Sequence, residues 1–145
     1  MGKRILVPID RSEQAQRALD TALDVFEGDD LVFLHVVEMG ALDYAGSMLG
    51  GYDRSFEGEI EDLAEEQARQ LLDRAVETAR DHGMDARGEV RVGKPAPEII
   101  EYAAENDVDY VVIGSHGYEE ISRQWFGSVA DRVVKGSPVS VMVVR

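Results

Sequence analysis

The sequence predicts an α/β fold: a single-domain, open, parallel five-stranded sheet with helices on both faces. Continuous apolar runs, typical of strands covered on both faces, alternate along the chain with segments whose apolar residues recur at helical spacing. The alternation is strict, so we expect parallel strands joined by right-handed helical crossovers. The length of 145 residues is usual for one domain, and we expect that domain to span residues 1–145.

The first half of the chain supplies two strands and the first helix. The apolar run Ile5 to Ile9 predicts the first strand, and Leu31 to Val37 predicts the second. Residues 40–58 contain five glycines without strand or helix periodicity, which predicts a long loop. The first helix has one apolar face and ends at Gly28; the face consists of Ala15, Ala18, Leu19, Ala22, Leu23 and Phe26.

The second half continues with a long amphipathic helix whose apolar positions run from Ile60 to Ala79 and which stops at His82-Gly83. Polar and apolar residues alternate over residues 89–92, as in a strand near a sheet edge. Pro95 and Pro97 suit the first turn of a helix. The remaining predicted elements are a strand over residues 109–113, a helix over 128–135 and a final strand from Val139 to Val144.

The composition excludes several classes of function. The chain has no cysteine, which excludes disulfides, thiolate zinc sites and cysteine nucleophiles. Its 29 acidic and 15 basic residues give a net charge of −14, which disfavours binding to nucleic acid or to an anionic membrane surface. No apolar run reaches the ~18 residues of a membrane helix, and the first residues lack the apolar core of a signal peptide. We therefore expect a cytoplasmic protein.

Only three of the 15 cationic residues are lysine: Lys3, Lys94 and Lys135. Abundant carboxylates with scarce lysine resemble the proteins of halophiles, organisms that keep molar salt inside the cell. The alternative is an ordinary acidic protein encoded by a GC-rich genome.

The most informative motif is Gly114-Ser115-His116-Gly117, followed after nine residues by Gly127-Ser128. Its first part follows a buried strand and its second part opens a helix. Glycines there let backbone N–H groups approach an anion, and a helix start adds further N–H donors and a favourable dipole. The motif therefore predicts a phosphate site. The alternative is that Ser128 caps its helix, with Asp131 completing a capping box, and the two interpretations are compatible.

This glycine spacing resembles the universal stress protein family, and the resemblance covers the whole chain. It is carried by the glycine motif together with residues 129–133, the terminal segment 137–144, the first strand and turn at 3–12, Leu34-His35-Val36-Val37, and Gly93-Lys94-Pro95. The resemblance implies a flavodoxin-like or Rossmann-like sheet with strand order 3-2-1-4-5. For the subgroup with this glycine pattern it also implies binding of ATP together with Mg²⁺ or Mn²⁺.

The resemblance also assigns site residues. Asp10 would lie near the metal and the phosphates, and the Val36 backbone would hold adenine. The full set comprises Pro8, Ile9 and Asp10 bordering the nucleotide, Val36 at the base, Ile113 and Gly114 beside the ribose, and Gly117, Gly127, Ser128 and Val129 around the phosphates. Independently of the resemblance, His116 lies inside the glycine motif and would be able to donate to a phosphate.

The motif departs from the family where a basic residue, a Ser or Thr and another glycine often stand, because Tyr118, Glu119 and Glu120 occupy those positions. Two carboxylates near a triphosphate would weaken its binding unless a cation intervenes or they point into solvent. Arg123 matches a family arginine and would offset them.

Ordinary structural roles compete at several of these positions. Asp10 with Glu13 fits a capping box, and Ser12 alone fits an ordinary helix cap. His35, on a buried strand, is typical of a core histidine with its hydrogen bonds satisfied. His82 marks a helix end.

Residues 88–94 have the glycine spacing of a P-loop, but Pro95 replaces the Ser or Thr that would hold Mg²⁺, and the middle of the segment is a predicted strand. The motifs of Rossmann dehydrogenases, zinc proteases and nucleophile-elbow hydrolases do not occur.

The sequence therefore favours an ATP-binding stress-response regulator that acts through an unknown protein partner. The alternatives are a slow Mg²⁺-dependent ATP hydrolase and a nucleotide-independent interaction protein of the same fold. The strand Val139 to Val144 leaves one sheet edge unpaired in the implied order, and we expect homodimerisation through it.

Overall fold

A computed structural model describes residues 2–38, 54–117 and 127–145, with side chains from residue 62 onward in the helix that begins at residue 54. The elements are β1 (Arg4–Pro8), α1 (Glu13–Val25), β2 (Asp30–Val37), α2 (Arg54–Asp81), β3 (Ala86–Val92), α3 (Pro95–Glu105), β4 (Tyr110–Gly114), α4 (Ser128–Gly136) and β5 (Ser140–Val144). No helix within these ranges is long and apolar enough to cross a membrane.

The five strands form one parallel sheet in the order β3-β2-β1-β4-β5, which confirms the expected order. In the register of the sheet, Ile5 lies between Leu31 of β2 and Tyr110 of β4. The chain winds in one direction from β1 to β3 and in the other from β4 to β5. This reversal places the topological switch between β1 and β4, where open α/β sheets bind ligands at the carboxyl ends of their strands.

Alternate residues of each strand face opposite layers of helices. On β1, Ile5 and Val7 pack with α1 and α2, whereas Leu6 packs with α3 and α4. Phe33 and Leu34 of β2 divide in the same way. All five side chains are fully buried. The expected helices on both faces are thus confirmed.

Glycine ends two of the helices as expected. Gly28 after α1 has φ +86° and Gly83 after α2 has φ +77°, a left-handed conformation that glycine adopts without a steric penalty. The loop predicted as far as residue 58 is wrong at its end, because α2 begins at Arg54; residues 40–53 lie outside the described ranges. The segment 54–61 is rich in glutamate, a good helix former, and a single glycine costs a helix only about 1 kcal/mol.

The P-loop interpretation of residues 88–94 is excluded. Residues 88–92 are an extended part of the strand β3, and Lys94 is the residue that precedes α3. A phosphate-binding loop would need those residues to curl around an anion.

Candidate functional site

The candidate site lies at the carboxyl ends of β1 and β4, where the winding of the sheet reverses. The turn from β1 into α1 and the segment after β4 approach each other there. A Cβ placed on Gly117 would lie 3.1 Å from Asp10 Oδ2. Residues separated by more than a hundred positions in the sequence thus lie close together.

The β1–α1 turn is held by two side chains. Asp10 Oδ1 accepts a hydrogen bond from the Ser12 N–H at 2.8 Å, and Ser12 Oγ accepts one from the Ala15 N–H at 3.0 Å. Ser12 is therefore the N-cap of α1, as one of the two local alternatives predicted. The alternative capping box between Asp10 and Glu13 is wrong, since the cap lies two residues beyond Asp10. Asp10 is half-buried and has its carboxylate fixed by the turn.

The segment after β4 is anchored on both sides through Ser115, which is 3% exposed. Its N–H donates to the Val144 carbonyl of β5 at 2.7 Å, and its carbonyl accepts from the Gly127 N–H at 2.6 Å. Its hydroxyl lies 3.0 Å from His116 Nδ1. The half-buried His116 ring and the start of α4 are therefore both oriented by one residue.

The helix α4 begins differently from the predicted capping box. Gly127 is the N-cap, with extended backbone angles, and Ser128 is the first helical residue. The Asp131 N–H closes the first turn onto the Gly127 carbonyl at 3.0 Å. The Asp131 carboxylate instead pairs with Lys135 at 2.9 Å. With no side chain at the cap position, the positive end of the α4 dipole faces the segment after β4.

These groups fit a nucleotide phosphate with a bound divalent cation. Mg²⁺ in such sites takes one or two carboxylates and completes its coordination with phosphates and water. Asp10 supplies one carboxylate, and Gly117 places no side chain beside its Oδ2. No group of three or more His, Cys, Asp or Glu residues that could hold a metal ion occurs among the described residues.

Gly114 has a structural reason to be glycine. A Cβ there would lie 2.7 Å from the Gln14 carbonyl carbon and 2.8 Å from its oxygen, inside the first turn of α1. The buried side chains of Ile9 and Ile113 belong to the core layers, and Pro8 and Gly114 are buried as well. The residues before Asp10 and before Ser115 therefore belong to the packed core beneath the two strand ends.

At the neighbouring strand, Val36 is half-buried at the carboxyl end of β2. The adjacent His35 places Nδ1 2.8 Å from the Ile9 carbonyl oxygen. His35 thus has its hydrogen bond satisfied, as expected, although it is half-buried. His82 stands just beyond α2 with Nδ1 2.8 Å from the Thr78 carbonyl, which confirms it as a helix-end residue.

The expected roles of Arg123, Tyr118, Glu119 and Glu120 lie outside the described residues. Val129 is half-buried beside the α3 and α4 core layer, and Ser128 is exposed at the start of α4. The structure therefore brings Asp10, Gly117, Gly127 and Ser128 to the same edge of the sheet.

The hydrogen-bond partners of Ser115 and His35 could not be predicted from the sequence. Ser115 was visible only as a spacer within the glycine motif, because its backbone partners, Val144 and Gly127, are distant in sequence. His35 was visible as a polar residue in an apolar strand, which is a signal for a specific partner. Its acceptor, the Ile9 carbonyl, follows from the sheet register and not from local sequence.

Comparison with known proteins agrees with this architecture. The chain is 32% identical over 155 residues to Universal stress protein MJ0577 of Methanocaldococcus jannaschii, covering 100% of this chain and 96% of that protein. A solved structure of protein MJ0577 superimposes with a TM-score of 0.85 at 29% identity, covering 99% of this chain and 96% of that one.

A universal stress protein from Archaeoglobus fulgidus, solved in complex with dAMP, superimposes with a TM-score of 0.68 at 25% identity, covering 99% of this chain and 98% of that one. The sequence model of the universal stress protein family matches residues 1–145. The chain belongs to the universal stress protein family.

Proposed function

We propose that this protein binds ATP, together with Mg²⁺ or Mn²⁺, at the carboxyl ends of β1 and β4, and acts as a nucleotide-dependent stress-response regulator. The observation that carries the proposal is the approach of Asp10 to Gly117, with a Cβ at Gly117 only 3.1 Å from Asp10 Oδ2. The Asp10 carboxylate, the backbone at Gly117 and the start of α4 then lie at the same end of the sheet. The dAMP complex of the Archaeoglobus fulgidus relative supports an adenine nucleotide as the ligand.

Each part of the nucleotide has a partner in this proposal. The phosphates contact backbone N–H groups at Gly117 and Val129 and the Ser128 hydroxyl, favoured by the α4 dipole. The expected donor role of the Gly127 N–H is excluded, because that group already donates to the Ser115 carbonyl; Gly127 instead leaves room for the phosphates by lacking a Cβ. A divalent cation bridges them to Asp10 and offsets its negative charge. His116, oriented through Ser115, donates a further hydrogen bond. The base reaches the backbone of Val36.

The remaining contacts of the nucleotide come from the buried residues beneath the ribose and from Arg123 of the glycine motif. The floor beneath the ribose comprises Pro8, Ile9, Ile113 and Gly114, which are buried. Arg123 would add a cation toward the phosphates, as the family resemblance implies.

We expect binding without rapid turnover. Hydrolysis requires a positioned water and a cation that stabilises charge on the transferred phosphoryl group. Arg11, the cation next to Asp10 in sequence, donates from its guanidinium to Gln67 Oε1 at 3.0 Å and is thereby engaged with α2. Arg123 is the other cation proposed near the phosphates, and the neighbouring carboxylates Glu119 and Glu120 act against it. A regulator that reports whether ATP is bound therefore fits this set of residues better than a hydrolase.

The test is calorimetric titration of ATP into nucleotide-free protein. Gly127→Val should abolish binding, because a branched side chain enters the space proposed for the phosphates. Ser128→Ala should weaken it by about 1 kcal/mol, the net contribution of one hydrogen bond. Asp10→Ala should weaken it only when Mg²⁺ or Mn²⁺ is present.

Two exposed residues supply matched controls. Ser140→Ala, at the start of β5, repeats the loss of a hydroxyl, and Asp24→Ala, near the end of α1, repeats the change in net charge. Both should bind ATP like the parent. Parent-like binding by Gly127→Val would show that the site is assigned wrongly.

We further propose that the protein forms a homodimer through β5. This strand lies at a sheet edge with half-buried side chains and pairs with β4 alone among the described strands. Exposed strand edges favour pairing with a second chain, and a symmetric pairing closes on itself. The Ser115 hydrogen bond to Val144 ties this edge to the proposed nucleotide site. A regulatory protein partner would then sense the dimer and its bound nucleotide.

We also propose that the protein is adapted to high salt. Its net charge of −14 with only three lysines supports this. Dense carboxylates repel one another in dilute buffer, and salt screens that repulsion.

A further inference from the structure

The backbone hydrogen bonds between β1 and β2 stop one bond before the carboxyl end of β2. The last backbone hydrogen bond runs from the Ile9 N–H to the Leu34 carbonyl at 2.8 Å. In a regular parallel ladder the next bond would run from the Val36 N–H to the Ile9 carbonyl, because evenly spaced bonds alternate between the strands. Strand pairing instead ends at Pro8 and Leu34. The Ile9 carbonyl faces the His35 ring, with Nδ1 at 2.8 Å.

The chemistry of this contact fixes the hydrogen on the ring. A carbonyl oxygen only accepts, so His35 Nδ1 carries the proton and donates it to Ile9. The histidine side chain thereby replaces the backbone donor that a longer ladder would use. The Val36 N–H, which would donate to the Ile9 carbonyl in a longer ladder, therefore makes no hydrogen bond to β1.

The direction of the Val36 backbone follows from its neighbours. The Leu34 carbonyl bonds toward β1, and the Val37 carbonyl bonds away from β1, accepting from the Gly93 N–H at 2.9 Å. Backbone groups alternate in direction along a strand, so the N–H and carbonyl of Val36 point toward the space beyond β1. Within the part of the chain that the structure describes, no backbone group of the β1 segment bonds to Val36. This space adjoins the turn that holds Asp10.

We propose that His35 is a positioning residue for adenine recognition: it engages the Ile9 carbonyl and so keeps the Val36 backbone available to the base. This inference rests on the proposed nucleotide function. One N–H and one carbonyl together match the adenine edge, which presents a ring-nitrogen acceptor beside an amino donor. Hypoxanthine presents a ring N–H beside a carbonyl and mismatches that pair. His35 therefore contributes to base selectivity and makes no contact with the phosphates.

The first experiment needs no nucleotide. Amide hydrogen exchange of the free protein, followed residue by residue with NMR, compares the parent with His35→Phe. We expect the Val36 amide to exchange rapidly in the parent, and to become protected by about tenfold or more in His35→Phe as it bonds to the Ile9 carbonyl. An amide at Val36 as protected in the parent as that at Leu34 would overturn the proposal.

The second experiment measures affinity for three probes: ATP, inosine triphosphate and inorganic tripolyphosphate. His35→Phe should weaken ATP about threefold to tenfold, the equivalent of one hydrogen bond, and should reduce the preference for ATP over inosine triphosphate. Its affinity for tripolyphosphate should equal that of the parent. His35→Asn should restore ATP binding, because its amide nitrogen lies as many bonds from Cα as histidine Nδ1.

His82→Phe is the matched control, since it removes a histidine that also bonds a carbonyl but lies beyond the end of α2. It should leave all three affinities unchanged. If His35→Phe does not fold, His35→Leu takes its place. Equal ATP affinity and equal base preference in the parent and the variant would overturn the role of His35. A parent that binds neither ATP nor tripolyphosphate would overturn the nucleotide function instead, and the exchange result would still decide whether His35 replaces the Val36 N–H as the donor to Ile9.

Discussion

Two glycines of the motif, Gly114 at the end of β4 and Gly117 after it, should respond differently to replacement by alanine. A Cβ on Gly114 would lie 2.7 Å from the Gln14 carbonyl carbon and 2.8 Å from its oxygen. Both atoms belong to the backbone of α1 and cannot rotate away. A Cβ on Gly117 would meet only Asp10 Oδ2, at 3.1 Å. Gly114→Ala therefore tests packing, and Gly117→Ala tests the ligand site.

The size of the first effect follows from these distances. Carbon atoms rest about 3.5–4.0 Å apart, so α1 would have to recede by roughly 1 Å from β4. Overpacking of this kind costs about 1–3 kcal/mol, which exceeds the ~0.4–1 kcal/mol that alanine gains by restricting the unfolded chain. At about 2–4 °C per kcal/mol for a chain of this length, Gly114→Ala should lower Tm by on the order of 5 °C.

The second variant should show the opposite pattern. Gly117→Ala should keep Tm within about 2 °C of the parent, because the neighbouring carboxylate yields a few tenths of an ångström, and it should weaken Mg-ATP by about tenfold. Thermal melts without nucleotide and calorimetry with Mg-ATP measure the two effects on the same samples. An unchanged Tm in Gly114→Ala would refute the packing argument, and unchanged Mg-ATP affinity in Gly117→Ala would refute the assignment of Gly117 to the site.

Three further outcomes are expected. Ser12→Ala should destabilise the fold by about 1 kcal/mol through loss of the N-cap of α1, measured by urea denaturation; a loss below 0.3 kcal/mol would contradict that role. The Tm should rise between dilute buffer and ~1 M KCl, where the screening length falls to ~3 Å, by more than that of a neutral relative; a flat response would argue against salt adaptation. Sedimentation should show a dimer that deletion of residues 139–145 converts to monomer or aggregate; an unchanged, stable dimer would place the interface elsewhere.

The strands and the layering were predictable because they depend on local pattern. The apolar runs at Ile5 and Leu31 fall in β1 and β2, with boundaries shifted by a residue, and β3 begins three residues earlier than predicted. The start of α2 at Arg54 was missed, although Phe56 lies four residues before Ile60 and continues its apolar spacing. Gly58 between them, a poor helix former, and the glycines at 50 and 51 made this stretch resemble a loop.

The position of the candidate residues at the carboxyl ends of the strands was predictable from the sequence, whereas their local structural roles were not. The choice between Asp10 and Ser12 as the cap depended on side-chain geometry, since both residue types favour the N-cap and both precede α1. The reason for a glycine at Gly114 depended on how closely α1 packs over β4, which no spacing in the sequence encodes. His35 was predicted as a satisfied histidine, but its acceptor arises from the register of β1 against β2.

An NMR titration of the nucleotide-free protein with Mg-ATP, followed at each backbone amide, shows where on the protein the nucleotide binds. Saturable shifts are predicted at Asp10, Val36, Gly117 and Ser128, with Gly28 at the opposite edge of the sheet unchanged. Absence of saturable shifts at those four amides, or shifts confined to the edge that holds Gly28, would contradict a nucleotide site at the carboxyl ends of β1 and β4.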